Sequence, residues 1–313
     1  MSSFQVLDID FDSINSERYD LSLFASGYES RCTFVPNLID PSIVANPLVY
    51  GFTEEAESEV RIKNDHFFLG QWGCSPIHLS SEDESPIYKY LNKHSSGADR
   101  PIKILLDYSS MSRLWYTAVL NWARFAAPTK EVVIDFIYAM GKYEEEKKPM
   151  MIKDMVSLPG CEGRAYRLRE SVAVFGLGFH GLAALCVLDR LEADTVYAFL
   201  AAPGSTQEYV NKTLEINREL INNPKTKKPI LEFPLGSIEA CYRHLAETIA
   251  PHRPDGEITL VPMGPKPHVL ASILVAMRFP EVACLRVSGE SDPLNVLPTG
   301  DIVASRVIVK SDN

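Results

Sequence analysis

One order of apolar strands and helical stretches runs through the chain twice, and that repetition limits the fold more than any single motif does. In the first half YDLSLFAS, NPLVYGFT, SPIHLS, PIKILLDYSS and EVVIDFIYA read as strands, with helical patterns at 54–68, 84–95 and 113–125. In the second half ESVAVFGLG, DTVYAFLAAPGS, KPILEFPL, EITLVPMG and EVACLRVSG follow the same order. Their helical patterns fall at 179–191, 207–222, 238–249 and 269–279. Each half carries Arg-Phe just ahead of its last strand, Arg124-Phe125 and Arg278-Phe279. A shared order over this length argues for duplication of one supersecondary plan.

Apolar strands that alternate with helices belong in parallel sheets covered on both faces. The expected fold is therefore α/β, two tandem Rossmann-like units with mainly parallel sheets, related by internal duplication. A chain of 313 residues has the length for two such domains, each with its own core. The expected boundaries are 1–145 for unit one, a linker at 146–165, and 166–313 for unit two. The linker is drawn around the charge run KYEEEKK and the methionines after it, and the tail beyond Gly289 reads as an edge extension of unit two. In the helical stretch 113–125, Trp115, Val119, Trp122 and Phe125 share one face, which makes a homo-oligomeric or unit–unit contact an expectation there.

The net charge is −10, the opposite of the basic footprint that duplex DNA demands. The six cysteines are scattered without a Cys-x-x-Cys pair, so no metal site is read. The opening MSSFQVLDIDFDS lacks the basic and apolar regions of a secretion signal. The most apolar stretch, 171–188, is interrupted by glycines and His180, too broken for a membrane span. The sequence expectation is a cytoplasmic protein with no membrane contact and no resident cofactor.

In open parallel α/β sheets ligands bind beyond the carboxyl ends of the strands. The loops there carry the candidate ligand-binding residues. After the first strand of unit one come Ser26, Gly27, Glu29 and Arg31; in unit two come Gly176, Gly178 and His180. GLGFHG fits the dinucleotide fingerprint G-x-G-x-x-G between strand and helix, but the acid expected at the end of the next strand is missing. That strand runs instead into Pro203, Gly204 and Ser205. Tight strand–helix packing is the competing reading of those glycines. After the fourth strand come Asp107, Ser109, Ser110 and Arg113 in unit one, and Gly264, Lys266 and His268 in unit two. Small residues beside a cation at a helix start suit a phosphate or carboxylate. Helix capping by Asp107 or Ser109 is the plain alternative. Ser110 or Cys32 as a nucleophile would need a base in reach, and no G-x-S-x-G elbow is present.

In its repeated plan and in those loops the chain resembles the CARF and SAVED families, bacterial sensors of cyclic oligonucleotides, SAVED being two fused CARF-like units. The CARF loop that opens the helix after the fourth strand commonly reads Gly-Gly-Thr-Lys. Gly264-Pro265-Lys266 matches it in part and the stretch from Ser109 to Arg113 more weakly, with Pro265, Pro267 and Arg113 as departures. The resemblance implies a ligand-sensing protein of bacterial anti-phage defence that binds a nucleotide-like anion and works with a separate effector protein. An enzyme acting on a nucleotide or another phosphorylated small molecule at the same place is the alternative.

Overall fold

Runs of Val, Ile, Leu and Phe form strands here because each is buried on both faces by the helices that follow. The computed structural model describes residues 3–54, 56–97, 100–142, 149–164, 170–290 and 295–310. The chain begins β1 (Ser3–Asp8), β2 (Tyr19–Ser26), α1 (Phe34–Leu38), β3 (Val44–Phe52), α2 (Glu59–Trp72) and β4 (Ile77–Leu79). It continues α3 (Ser85–Ser95), β5 (Ile102–Asp107), α4 (Arg113–Phe125) and β6 (Glu131–Gly141). Next come β7 (Met151–Glu162), β8 (Ser171–Gly176), α5 (Gly181–Leu191), β9 (Thr195–Ala201), α6 (Gln207–Ile216) and α7 (Arg218–Ile221). The last elements are β10 (Leu231–Phe233), α8 (Ile238–Ile249), β11 (Glu257–Pro262), α9 (Lys266–Arg278), β12 (Val282–Glu290) and β13 (Pro298–Lys310).

The chain divides into two compact units, 1–144 with 293–313, and 145–292. Unit one holds a seven-stranded sheet in the order β1-β13-β6-β5-β2-β3-β4, and unit two a six-stranded sheet in the order β10-β9-β8-β11-β12-β7. From β6 to β4 and from β10 to β12 all neighbours are parallel. In both sheets the first parallel strand lies in the middle, so the order reverses between β2 and β5 and between β8 and β11. In both, the last parallel strand takes an antiparallel partner, β13 beside β6 and β7 beside β12. Two Rossmann-like α/β units of one plan are the result, as the repeated order predicts.

Two boundary expectations fail. The tail does not extend unit two: β13 pairs with β6 and β1 in the first sheet. A bidentate ion pair fixes it, with Arg306 opposite Asp135 in register and its Nε and Nη2 donating to the two carboxylate oxygens at 2.7 and 2.8 Å. The Tyr19 hydroxyl donates to the same buried carboxylate at 2.6 Å. The proposed linker is mostly strand: β7 lines the edge of the second sheet, and its polar residues sit on exposed positions of an edge strand. Residues 146–148 and 165 of that linker lie outside the described residues.

The helix α4 has the bounds the pattern predicts, but its tryptophans offer no surface. Trp115 and Trp122 are fully buried in unit one, and their indole N–H groups donate to the Asp83 carbonyl and to Asn92 Oδ1. Only Phe125 of that face is exposed. An aromatic stripe at helical spacing serves the core here, so Trp115 and Trp122 have no surface to give to the contact expected of that face. Among the described residues no helix is long and apolar enough to cross a membrane.

Candidate functional site

Each unit places its loaded loops at one end, because the loops after parallel strands all leave from the carboxyl side. In unit two the loop after β8 and the loop after β11 touch at the point where strand order reverses. A Cβ on Gly178 would lie 2.1 Å from the Met263 carbonyl oxygen, and one on Gly264 would lie 2.7 Å from that of Leu177. No side chain fits between these backbones. Gly176 likewise abuts the Phe199 ring, and a Cβ on Gly181 would lie 2.3 Å from the Ile216 carbonyl oxygen. The three glycines of GLGFHG are therefore accounted for by close packing, the competing reading of the fingerprint.

His180 stands half-buried at the N-cap of α5 and makes no side-chain cap bond. Lys266 is the first residue of α9, after Pro265 at the N-cap, and α9 too starts without a side-chain cap. The helices α2, α4, α6 and α8 do carry one, from Ser58, Ser112, Thr206 and Ser237. The helix starts without an N-cap side-chain bond thus include the two at the switch point of unit two. Beside them the rings of Phe179 and Tyr209 meet at a tilt of 53° with centroids 4.6 Å apart, both half-buried. Pro203 accepts the Leu235 amide, and Gly204 packs near Tyr209 and Val210. The Ser205 hydroxyl is shut from solvent with no hydrogen-bond partner.

His268 departs from the expected exposed loop. The helix starts at Lys266, three residues earlier than the pattern predicts, because Pro267 in its first turn needs no N–H partner. His268 is consequently a core residue at 1% exposure, against Phe199 and Phe233, with Nε2 3.4 Å from the Pro234 carbonyl oxygen. That carbonyl fixes the tautomer with the proton on Nε2. Nδ1 is then a buried acceptor without a partner, and burial lowers the ring's pKa to about 4.

Unit one repeats the layout and fills it differently. Arg113 is the first residue of α4, the place Lys266 holds in unit two, but Ser112 caps that helix by accepting the Trp115 amide at 3.3 Å. Asp107 and Ser109 form a buried turn: Asp107 Oδ1 accepts from the Ser109 amide and hydroxyl, and Ser109 Oγ accepts the Ala139 amide. They brace the loop and do not cap the helix, so the plain alternative of a cap at Asp107 or Ser109 fails and Ser112 takes that role. Ser26 is fully buried and donates to Asp65 Oδ1, which Arg61 Nε also contacts at 2.7 Å. Gly27 lies in ordinary contact with Phe52 and Ser110.

Glu29, Arg31 and Ser110 come together across β2 and β5. The Glu29 carboxylate accepts from Arg31 Nε at 2.5 Å and from the Ser110 hydroxyl at 3.1 Å. The buried Arg31 also donates to the Tyr138 hydroxyl at 3.1 Å. An internal carboxylate therefore stands where a ligand anion would meet these donors. Cys32 is no nucleophile: burial pushes its thiol up to about 12.

The sequence reading missed the asparagines that shape both glycine loops. Asn64 Nδ2 donates to the Gly27 carbonyl at 2.9 Å, and Asn217 Nδ2 to the Gly178 carbonyl at 2.7 Å, both side chains buried. The separations are 37 and 39 residues, so the repeated order held the signal, an asparagine at a matching distance after each glycine. It also missed the Phe179–Tyr209 ring contact.

No family model matches the chain, and no curated protein matches it. Among solved structures, the crystal structure of the cytoplasmic domain of a prokaryotic cation chloride cotransporter is similar at 11% identity and a TM-score of 0.25, covering 89% of this chain and 98% of that one. A likeness of that TM-score assigns neither fold nor function.

Proposed function

We propose that this protein is a ligand-sensing module whose unit two binds a nucleotide-like anion, a cyclic oligonucleotide among the candidates, at the switch point between β8 and β11. The observation that carries the reading is the pair of uncapped helix starts there, one of them opened by Lys266. A lysine in the first turn opposes the helix dipole, a cost of about 0.3–1 kcal/mol that a bound phosphate reverses. The half-buried rings of Phe179 and Tyr209 supply an apolar platform for a base, and the unpartnered Ser205 hydroxyl supplies a donor or acceptor beside it. The hydroxyls of unit two that stand beside a histidine or carboxylate, Tyr197 at His252 Nε2 (3.0 Å) and Thr195 at Glu170 Oε1 (2.7 Å), lie in the first half of β9 and not at its carboxyl end, so binding is favoured over turnover at the switch point. Service in bacterial anti-phage defence with a separate effector protein remains part of this proposal through the CARF and SAVED resemblance.

The test starts from the purified protein. Denature it, measure absorbance at 260 nm in the released fraction, and identify the small molecule by mass. Then incubate fresh protein with that molecule, or with a panel of mononucleotides and cyclic oligonucleotides. The expected result is a bound species recovered unchanged after many equivalents have been offered. Consumption of the ligand would replace sensing with the enzyme reading, and binding of none of the panel would remove the nucleotide assignment.

A further inference from the structure

The proposal above leaves the Glu29–Arg31–Ser110 cluster of unit one without a task. A buried guanidinium is held by a nearby carboxylate that is itself only partly buried: the two side chains are 7% and 16% exposed. Ser110 Oγ donates to the same carboxylate oxygen as Arg31 Nε. The Tyr138 hydroxyl and the Ala139 carbonyl fix the other side of Arg31 at 3.1 and 3.5 Å, and a Cβ on Gly141 would lie 3.1 Å from Arg31 Nη1. Arg31 is thus a donor set held at Nη1 by Tyr138 and Ala139 and closed at Nε by the Glu29 carboxylate. A guanidinium and a hydroxyl converging on one oxygen anion suit a phosphate as well as they suit a carboxylate.

We infer that this cluster is an anion site held shut by Glu29, and that a phosphate group of a ligand displaces the Glu29 carboxylate and takes its bonds from Arg31 and Ser110. The inference stands apart from the unit-two reading, since it uses none of that site's residues. Displacement has a structural reader at hand. The residue after Glu29 donates its amide to Asn295 Oδ1 at 2.7 Å, and Arg31 donates its amide to the Val296 carbonyl at 3.2 Å. The loop that carries Glu29 is therefore bonded to the segment that leads the chain from unit two back into β13. Release of Glu29 acts on that return segment directly, with no covalent step.

The test uses the full chain and inorganic phosphate or pyrophosphate as probes, with chloride at matched ionic strength as control. Glu29→Gln keeps the shape and removes the competing charge, and it is expected to bind phosphate at least ten-fold tighter than wild type by calorimetric titration. Glu29→Ala leaves the buried Arg31 without a counter-charge, so its melting midpoint is expected to fall and then to rise with phosphate concentration, as a ligand that binds only the native state requires. The double variant Glu29→Ala/Arg31→Leu is expected to lose the phosphate dependence. Equal or weaker phosphate binding by Glu29→Gln overturns the inference, and so does a Glu29→Ala midpoint that phosphate raises no more than chloride does. If Glu29→Ala does not fold, the Glu29→Gln titration decides alone. Lys266→Ala is expected to leave all of these phosphate effects in place, which separates failure here from failure in unit two.

Discussion

Arg306→Ala is expected to destabilise unit one by about 3–5 kcal/mol, because it strands the Asp135 carboxylate in the core. Asp135 is fully buried and Arg306 supplies both of its strong donors; the Tyr19 hydroxyl alone remains. Arg306 also reaches Glu17 Oε1 at 3.2 Å, which in turn holds Lys103 at 2.6 Å. That outer pair is partly solvated and adds little. The location of the loss is as informative as its size. The chain has three tryptophans, Trp72, Trp115 and Trp122, and all three belong to unit one. Denaturant unfolding followed by tryptophan fluorescence therefore reports unit one. The Arg306→Ala midpoint is expected to move in that signal. An unmoved tryptophan transition would mean that the tail stabilises some other part of the chain.

The second large effect lies in unit two and depends on pH. His268 is neutral in the fold, with its pKa lowered to about 4 by burial against Phe199, Phe233 and the Pro234 carbonyl. The unfolded ring takes up a proton near its ordinary value of about 6.5. Between those values the unfolded state binds more protons, so stability is complete above about pH 6.5 and declines as pH falls toward 4. The whole loss amounts to about 3 kcal/mol, at 1.36 kcal/mol for each unit of separation. Comparing wild type with His268→Leu isolates the His268 share. The variant is expected to hold its far-ultraviolet circular dichroism midpoint over pH 6.5–4 better than wild type does. Parallel declines in the two proteins would show that His268 does not titrate as its burial requires.

These two residues also mark where the sequence was readable. The parallel cores were legible because their signals are local: apolar runs of strand length between helical patterns, with α4 and α8 falling on the predicted bounds. The allegiance of β13 was not, since its decisive partner lies 171 residues away and a strand pattern does not name the edge it joins. The β7 strand was hidden by its own exposure: an edge strand that mixes methionines with charged residues and follows a charge run has the composition of a linker. At the sites, the residue types and loops were legible and their states were not. His268 moved from an exposed loop into the core because Pro267 admits an earlier helix start. Glu29 and Ser110 are 81 residues apart in sequence, so nothing local announces that one closes the other. The glycines stood out, yet whether a ligand or a neighbouring backbone used the space they free was settled only by the contact between Gly178 and Met263.

The switch point of unit two is tested most directly by one pair of titrations. Lys266→Ala and Arg113→Ala remove cations from the same position in the two units, the first helical residue after the fourth parallel strand. Both side chains are only half-buried, so thermal melts of the variants should match wild type. With the nucleotide that the protein retains, or the best of the panel, Lys266→Ala is expected to bind about ten-fold to a hundred-fold more weakly, the range set by one charged hydrogen bond of about 1.5–3 kcal/mol. Arg113→Ala is expected to bind like wild type, because Ser112 caps its helix and Arg31, a buried cation of unit one, already holds a carboxylate. Wild-type affinity in Lys266→Ala, or an equal loss in Arg113→Ala, would contradict the account.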